Sequence, residues 1–418
     1  MNHPKIKKPV AIVLGGTNPH RALIENLQNR GYYTLLVDYL ENPPARDVSD
    51  EHVRESTLDK EIVLEIAKQR NANLVIATCI DQANVTACYV GEKLGLPIPY
   101  SYKTALDISD KTTMKKAMIG GNIPTSKFIV VKKGEKPDVE DLKFPLVVKP
   151  SDSNGSKGVR KANTAEELTQ YLTDALSISR NNKAIVEEFV DGDEVGIDCF
   201  VSDGKAHVIT MHKKRKPSLK DGSVIFSIGS ISPPDISEMV KRSIELIANQ
   251  IAKVFNLKNT PLLIQAIVNE VDVNVVEFAP RIGGGLNFRK IKLFAGFDIV
   301  DAAVHSFLGN KVKPVYVQPG FYYSENHIYT EPGVFGEIQG FKELIKGKVV
   351  VDFYPNKTKG MIMHSDRASR DRAASFIVKS NSLESIIDKV KFVIKSIKVL
   401  DTKGRELRLL ECYDDLLF

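Results

Sequence analysis

Residues 261–286 read PLLIQAIVNEVDVNVVEFAPRIGGGL, the most informative stretch of the chain. Two apolar runs flank a polar turn at Asn269–Asp272, which predicts a pair of antiparallel strands. Pairing would place Gln265 and Glu277 side by side with converging oxygens. Such oxygen ligands suit a hard cation, Mg²⁺ or Mn²⁺, which proteins usually share with phosphate. A glutamate at a strand end is equally typical of a solvated edge, and the hairpin alone does not choose between the two interpretations.

The same stretch ends with an arginine and three glycines. Arg281 follows Glu277 by four residues and offers a planar, permanently charged fork for a phosphoryl group or a carboxylate. Gly283, Gly284 and Gly285 have no side chains to block a ligand, and their backbone N–H groups can point at oxygen. We therefore predict that Arg281, Gly283, Gly284 and Gly285 bind a small carboxylate substrate.

The composition is that of an ordinary globular protein. The chain has 418 residues, 43% of them hydrophobic and 26% charged, so two to four domains are expected. No apolar run approaches the ~20 residues of a membrane span. Four scattered cysteines predict reduced thiols in a cytoplasmic protein. The net charge of +6 slightly favours small anionic substrates and does not indicate a nucleic-acid partner.

Strand and helix patterns divide the chain into four predicted units. Residues 1–105 alternate short apolar strands with helices, which predicts a parallel α/β domain. Residues 106–183 combine an entry helix, an apolar strand and a polar loop, and residues 184–312 combine several strands with one long helix. Residues 313–418 are predicted to form an α+β module.

Capping residues predict where three helices begin. Thr164 and Glu167 fit a capping box before the helix that follows them. Asp235 is predicted to open the long helix, whose apolar face comprises Met239, Val240, Ile244, Ile247, Ile251 and Val254. Asn381 is the candidate cap of the last amphipathic helix.

Two lysines are candidates for phosphate contacts. Lys149 ends an apolar strand and precedes the glycine-bearing loop Ser153–Gly158, whose backbone N–H groups can cover anionic oxygens. Lys111 begins a helix. A lysine at a strand end also commonly extends its charge to solvent, and the loop also fits a solvated turn. The loop residues that we predict to contact a nucleotide are Ser153, Gly155, Ser156 and Gly158.

A hinge at residues 187–194 is the candidate adenine site. The apolar strand AIVEEFV ends there and turns at Asp191–Gly192. Main-chain groups exposed at such a hinge can bond to the edge of an adenine, and Glu194 lies within reach of ribose hydroxyls. Taken singly, these acids also fit ordinary surface residues.

The order of these motifs is more informative than any one of them. They closely resemble the ATP-grasp superfamily, which includes biotin carboxylase, D-alanine–D-alanine ligase, the large subunit of carbamoyl phosphate synthetase and the L-amino-acid ligases. The residues that carry the resemblance are, in order, Lys111, Lys149 with its loop, Glu187–Val190, Glu194, Gln265, Glu277 and Arg281.

The resemblance covers most of the chain and implies its fold. The N-terminal α/β domain looks like the one that precedes an ATP-grasp fold, and residues 315–418 are similar to the C-terminal module of the amino-acid-ligase branch. Residues 106–183 would then be the small lid subdomain of the ATP-grasp fold, and residues 184–312 its large subdomain.

The resemblance also implies a role for each nucleotide contact. Lys111 and Lys149 would bind the ATP phosphates, with the loop closing over them. The Glu187 carbonyl, Phe189 and the Val190 N–H would hold adenine, and Glu194 would hold the ribose.

Gln265 and Glu277 would be magnesium ligands, and Arg281 and Lys149 would be the catalytic residues, with Arg281 stabilising phosphoryl transfer. The superfamily commonly reads Glu-x-Asn-x-Arg, whereas this chain reads Glu277-Phe-Ala279-Pro-Arg281. Ala279 cannot ligate, so a second metal ion would need water, a bridging Glu277 or substrate oxygens. Because of this difference, the alternative of a protein that binds nucleotide without ligase turnover stays open.

The resemblance implies an ATP-dependent carboxylate–amine ligase that forms an amide or peptide bond through an acyl phosphate, with a free amino acid as substrate. A carboxylase-type enzyme and a purine-pathway ligase are the alternatives within the superfamily. A nicotinamide dehydrogenase would need the glycine fingerprint G-x-G-x-x-G, which this chain lacks. The basic run at 212–216 fits a loop near anionic substrates better than a nucleic-acid patch. The expected partners are small carboxylate and amine molecules, and a homodimer is left open.

Overall fold

The computed structural model describes residues 8–153, 157–217, 225–364 and 371–413. Its N-terminal unit alternates strands and helices: β1 (Val10–Leu14), α1 (Asn18–Asn29), β2 (Tyr33–Val37), β3 (Glu51–Val53), α2 (Lys60–Gln69), β4 (Ala72–Ile76) and α3 (Asp81–Leu94). The strands pair in parallel in the order β3-β2-β1-β4. Continuous apolar runs such as that of β1 are typical of parallel strands with both faces covered. The predicted parallel α/β domain is confirmed.

The next unit is a small antiparallel sheet. Its elements are α4 (Tyr102–Ser109), α5 (Lys111–Gly120), β5 (Phe128–Lys132), β6 (Leu146–Pro150), β7 (Arg160–Ala162), α6 (Ala165–Ile178) and β8 (Lys183–Glu188). The strand order is β5-β8-β6-β7. Thr164 caps α6 by accepting the Glu167 N–H at 3.3 Å, as predicted. The Glu167 carboxylate accepts the Asn163 N–H, one residue before the cap.

A large antiparallel sheet follows. Its first elements are β9 (Asp193–Ser202), β10 (Lys205–Arg215), β11 (Gly229–Ser232), α7 (Glu238–Val254), β12 (Asn259–Val268), β13 (Val273–Ala279), α8 (Asn287–Lys290) and α9 (Ile299–Phe307), with a π-helical turn at Ile291–Ala295. The predicted cap of the long helix is wrong. Ser237, not Asp235, accepts the Val240 N–H and opens α7, because the serine hydroxyl stands at the first non-helical position. Met239 and Val254 lie exposed at the two ends of α7, while the other four apolar residues are buried.

The C-terminal residues extend that sheet. They form β14 (Tyr322–Tyr329), β15 (Gly333–Gln339), α10 (Phe341–Lys346), β16 (Asp352–Pro355), β17 (Ile362–Met363), β18 (Arg372–Ser380), α11 (Leu383–Ser396), β19 (Lys398–Asp401) and a 3₁₀ turn at Leu410–Tyr413. Within the described residues the large sheet has the order β13-β12-β9-β10-β11-β14-β18-β16, and β17-β15-β19 form a smaller one. The predicted boundary at 312/313 therefore falls between strands of one sheet. Ser382, not the neighbouring Asn381, caps α11.

None of the helices in the described ranges is long and apolar enough to cross a membrane. The small sheet and the β12–β13 end of the large sheet together line a cleft, to which α5 also contributes. The fold thus brings three separate segments of the chain to one site.

Candidate active site

The predicted hairpin forms and pairs the two candidate metal ligands. Gln265 on β12 lies directly opposite Glu277 on β13. The turn is held by the side chain of Asn269, which accepts the Asp272 N–H at 2.7 Å. Opposite residues of an antiparallel pair project from the same face of the sheet. The amide and the carboxylate are therefore neighbours, as the sequence predicted.

Lysine ammonium groups contact both of these ligands. Lys111 Nζ lies 2.9 Å from Glu277 Oε2, and Lys214 Nζ lies 3.0 Å from Gln265 Oε1. Burial would raise the pKa of Glu277, but Lys111, Lys149 and Lys214 outweigh it and lower the pKa to about 2. The carboxyl group is therefore ionised at neutral pH, as a magnesium ligand must be.

This pair of donors fits a hard divalent cation in its chemistry. A carboxylate oxygen and an amide oxygen are both ligands that Mg²⁺ accepts, usually alongside phosphate oxygens. Among the described residues no group of three or more His, Cys, Asp and Glu side chains could hold a metal ion. Mg²⁺ in proteins usually takes its other ligands from substrate phosphates and water, and a cation bound by Gln265 and Glu277 would do the same.

A second lysine–glutamate cluster lies on the small sheet. Lys149 Nζ donates to Glu187 Oε1, and Lys115 Nζ lies 2.9 Å from Glu187 Oε2. Ser126 Oγ also donates to Glu187 Oε2, at 3.2 Å. Burial would raise the pKa of Glu187, but Lys149 and Lys115 lower it to about 2. Glu187 thus holds two buried cations in fixed positions.

The cleft between the two clusters has apolar walls. Val147, Val159, Ile267 and Val276 line it, together with Phe189 and Val190 of the predicted hinge. The ammonium group of Lys161 makes a cation–π contact with the Phe189 ring, 3.9 Å from the ring centroid. An apolar lining with a small number of precisely placed polar groups is typical of small-molecule and cofactor sites.

The predicted ribose contact is held by two lysines. Lys214 Nζ lies 2.5 Å from Glu194 Oε1, and Lys216 Nζ lies 3.0 Å from Glu194 Oε2. Burial would raise the pKa of Glu194, but these two lysines lower it to about 2. Lys214 bonds to both Glu194 and Gln265, and Lys216 lines the cleft, so these two residues of the basic run lie at the site.

Only the flanks of the predicted phosphate loop belong to the described residues. The carbonyl oxygen of Ser153 accepts a bond from Lys111 Nζ at 2.9 Å. Gly158 has a φ of +76°, and a Cβ there would lie 2.7 Å from Ile178 Cδ1. Gly155 and Ser156 lie outside the described residues. Closure of this loop over phosphates stays a prediction.

Arg281 is bound to the N-terminal domain. Its Nε lies 2.5 Å from Asp81 Oδ1, and its Nη2 lies 2.9 Å from Asp81 Oδ2. This bidentate pair lines a second cavity, which also contains Lys111, Gln265 and Glu277. The last three side chains line the nucleotide cleft as well. They therefore form a wall shared by the cleft and the second cavity.

A thiol lies close to Arg281. Cys79 Sγ is 3.6 Å from Thr17 Oγ1 and 3.9 Å from the His20 ring nitrogens. Burial would raise the pKa of Cys79, but His20, Thr17 and Arg281 together lower it.

The three glycines differ from one another. A Cβ on Gly283 would lie 2.2 Å from Asn287 Nδ2, and a Cβ on Gly285 would lie 2.4 Å from Glu325 Oε1. A Cβ on Gly284 would meet nothing within 4 Å. Glycine is thus required at the first and third positions by close packing, and Gly284 alone borders open space.

The sequence reasoning missed Lys115 and Asp81. Lys115 follows Lys111 by one helical turn, so the i, i+4 spacing on α5 was an available signal. Asp81 lies 200 residues before Arg281, and no local pattern links the two. Lys214 belonged to a recognised basic run, but its contact with Gln265 depends on the pairing of β9 with both β10 and β12.

Comparison with known proteins agrees with this geometry. Residues 142–289 match the family model described as an ATP-grasp domain. The match contains Lys149, Glu187, Gln265, Glu277 and Arg281. The chain therefore contains an ATP-grasp domain, as predicted from the sequence.

Curated relatives and solved structures extend the comparison. The large chain of carbamoyl phosphate synthase from Clostridium beijerinckii is 27% identical over 275 residues, which are 60% of this chain and 25% of the relative. The large chain from a Thermoanaerobacter species is 29% identical over 253 residues, which are 58% of this chain and 22% of the relative. This chain thus spans about a quarter of the length of the curated relatives it matches.

The structural likeness covers almost the whole chain. An L-amino acid ligase from Bacillus licheniformis superposes with a TM-score of 0.75 at 16% identity, over 95% of this chain and 100% of that one. Phosphoribosylglycinamide synthetase from Anaerococcus prevotii superposes with a TM-score of 0.73 at 19% identity, over 95% of this chain and 100% of that one. A third structure is the biotin carboxylase domain of Hydrogenobacter thermophilus 2-oxoglutarate carboxylase, solved with MgADP and bicarbonate. It superposes with a TM-score of 0.75 at 14% identity, over 98% of this chain and 93% of that one. These identities establish the ATP-grasp fold and do not select a branch.

Proposed function

We propose that this chain is an ATP-dependent carboxylate–amine ligase that forms an amide through an acyl phosphate and uses a free amino acid as substrate. The observation that carries the proposal is the shared wall of Lys111, Gln265 and Glu277. A nucleotide in the cleft would bring its terminal phosphate to this wall. A carboxylate in the second cavity would meet that phosphate from the other side.

The second cavity presents both charges that an amino acid would need, but its volume is only about 20 Å³ while Arg281 and Asp81 are paired, so a bound amino acid would have to separate that pair. The Arg281 guanidinium can bind a carboxylate, and the Asp81 carboxylate can bind an ammonium group. In this structure the two bond to each other, so a zwitterion would exchange one internal ion pair for two external ones.

The proposed reaction has two steps. A carboxylate oxygen attacks the γ-phosphorus of ATP, the bond to the bridging oxygen of ADP breaks, and an acyl phosphate forms. The amine then attacks the acyl carbon, a C–N bond forms, and inorganic phosphate leaves while the amine loses a proton to solvent. Lys111 and Lys149 would neutralise phosphate charge, and Arg281 would orient the carboxylate. Mg²⁺ or Mn²⁺ held by Gln265 and Glu277 would supply Lewis-acid stabilisation of the phosphate oxygens.

A nucleotide-binding protein without turnover is the second candidate, and Ala279 favours it. Ala279 is buried on β13 directly opposite Leu263, so no ligand for a second cation stands there. A bicarbonate-dependent reaction or a purine-pathway reaction is the further alternative, because the fold is shared equally with proteins of those names.

A substrate panel tests these candidates. The protein is incubated with ATP, Mg²⁺ and each free amino acid, singly and in pairs, or with bicarbonate, and released phosphate and amide products are measured by colorimetry and mass spectrometry. We expect at least one amino acid to raise phosphate release with an amide formed in equal amount. Stimulation by bicarbonate alone would assign another branch, and calorimetric ATP binding without any stimulated release would favour the binding protein.

A matched variant ties the result to the second cavity. Asp81→Asn keeps the side-chain size and removes the charge that we assign to the substrate ammonium. We expect it to raise the KM for the amino acid and to leave ATP affinity unchanged.

A further inference from the structure

One buried carboxylate ties the Arg281 loop (residues 281–286) to strand β14. Glu325 lies on that strand, and its Oε1 accepts the Leu286 N–H at 2.8 Å. Its Oε2 lies 2.7 Å from Lys290 Nζ, in a pair whose side chains are 4% and 3% exposed. Lys290 Nζ also donates to Ser230 Oγ at 3.1 Å. The same carboxylate therefore holds the end of the Arg281 loop and the helix α8 that follows it.

Glycine at position 285 lets the carboxylate approach the backbone this closely. Gly285 has a φ of +67°, which favours glycine, and a Cβ there would lie 2.4 Å from Glu325 Oε1. Burial would raise the pKa of Glu325, but Lys290, His327 and the Leu286 N–H lower it to about 2. The acceptor is therefore a carboxylate at neutral pH, and its bond to the loop is charge-assisted.

Two further contacts fix the backbone around the Arg281 loop. Near its start, the Ile282 N–H donates to the Thr78 carbonyl of the N-terminal domain at 3.0 Å. Just after its end, Asn287 Nδ2 donates to Asp198 Oδ1 of β9 at 3.0 Å, and both of these residues are buried. None of these contacts uses the side chain of Arg281.

These contacts matter because the Arg281 guanidinium has to change its partner in the proposed reaction. It bonds to Asp81 in this structure, and a substrate zwitterion would separate that pair. Arg281 then stays in place only if other groups hold its backbone. A buried ion pair such as Glu325–Lys290 adds little stability by itself, because desolvation of the charges offsets their attraction. What an apolar pair could not replace is the acceptor oxygen at Leu286.

We propose that Glu325 is a positioning residue, which fixes the Arg281 loop and thereby places Arg281 to bind the substrate carboxylate. The inference rests on the proposed function, because it takes Arg281 as the substrate contact. Glu325 is 4% exposed, so it acts through the loop backbone and does not touch the substrate. Both Glu325 and Lys290 lie beyond the family match, which ends at residue 289.

Two double variants differ only in the acceptor that they offer to the Leu286 N–H. Lys290→Met with Glu325→Gln removes both charges and keeps an amide oxygen. Lys290→Met with Glu325→Met also removes both charges, but its thioether, on a side chain of similar length, is a weak acceptor. Neither variant leaves a buried charge without its partner, so both are expected to fold.

The first measurement is amide hydrogen exchange of residues 281–290 in the whole chain. We expect exchange in this segment to be about fivefold faster or more in the Glu325→Met double variant than in the Glu325→Gln one, because only the latter keeps the bond. Equal exchange in the two would overturn the proposal. No substrate is needed here, so this failure is distinct from a failure of the proposed function, which the substrate panel detects.

The second measurement separates positioning from a general loss of structure. With the amino acid that stimulates phosphate release, we expect its KM to be about tenfold higher or more in the Glu325→Met double variant than in the Glu325→Gln one. The calorimetric Kd for ATP should be the same in both. Lys292→Met, which breaks the more exposed pair with Asp298, is the control and should change neither quantity. Equal KM values in the two double variants, or a parallel loss of ATP affinity, would overturn the proposal.

Discussion

Two glutamate–lysine clusters line the same cleft and differ in their exposure to water. The side chain of Glu187 is 6% exposed and binds Lys115 and Lys149, which are 0% and 6% exposed. The side chain of Glu277 is 31% exposed, and its partner Lys111 is 14% exposed. Separating desolvated charges is far more costly than separating hydrated ones. We infer that the Glu187 cluster is a fixed part of the framework and that Glu277 can exchange its lysine for a metal ion.

The largest effect is expected for Glu277→Ala. If Glu277 is the metal ligand, turnover should fall by on the order of 10²–10³-fold or more, because charge stabilisation at the phosphate is lost. The unfolding temperature should hardly change, since Lys111 can be hydrated. Steady-state kinetics and calorimetric unfolding measure both quantities.

Glu270→Ala, at the exposed turn of the same hairpin, is the control for that variant and should leave both quantities unchanged. Normal turnover of Glu277→Ala in the presence of excess EDTA would remove the metal site from the account.

Glu187→Gln should mainly lower the stability of the fold, whereas Glu277→Ala should mainly lower turnover. It leaves two buried lysines without a carboxylate, and breaking a buried pair in this way typically costs about 3–5 kcal/mol of unfolding free energy. Urea unfolding measures the loss. Glu238→Gln, which breaks the exposed pair with Lys241, is the control and should cost little. Equal stability of the two variants would show that exposure does not distinguish the clusters.

Lys149→Met tests the phosphate contact within the fixed cluster. Loss of a charged phosphate contact should weaken ATP binding by about 2–4 kcal/mol, while Glu187 keeps its bond to Lys115. Isothermal calorimetry measures the affinity. Lys132→Met, an exposed lysine on the same small sheet, serves as the reference. An unchanged ATP affinity in Lys149→Met would refute the assignment.

The pH dependence of stability gives a smaller and finer test. The folded pKa of Glu187 is lowered from 4.5 to about 2, against burial, by Lys149 and Lys115. A lowered folded pKa contributes stability above the unfolded pKa, and this contribution is lost as the pH falls from about 4.5 towards 2. The unfolding free energy of the natural protein should therefore fall more steeply in that range than that of Glu187→Gln. Parallel curves for the two proteins would contradict the ion-paired state of Glu187.

Local sequence patterns were sufficient for the hairpin and the parallel domain. The two apolar runs identified both strands, and the polar residues at Asn269–Asp272 identified the turn between them. Gln265 faces Glu277 only because a β-bulge between Gln265 and Ala266 shifts the pairing by one residue; the turn register by itself would place Val276 opposite Gln265. Continuous apolar runs likewise identified β1, β2 and β4, because such runs are typical of parallel strands with both faces covered.

Partners that lie far apart in the chain could not be predicted. Asp81 binds Arg281, and Lys115 binds Glu187 across 72 positions, because the tertiary fold brings separate elements together. A lysine on a helix normally indicates a solvated face, and only the fold shows that Lys115 is buried. Helix starts were missed by one or two residues because neighbouring polar residues compete for the capping position.

In the proposed mechanism a substrate carboxylate reaches the γ-phosphate across the wall of Lys111, Gln265 and Glu277. It is tested with the stimulating amino acid labelled with ¹⁸O in its carboxylate, incubated with unlabelled ATP and Mg²⁺ in ordinary water. Mass spectrometry of the released phosphate then shows which oxygen attacked. We expect one ¹⁸O atom in the inorganic phosphate for each amide formed. Phosphate without label, released at the same rate, would mean that water attacks the γ-phosphorus and would contradict the acyl-phosphate mechanism.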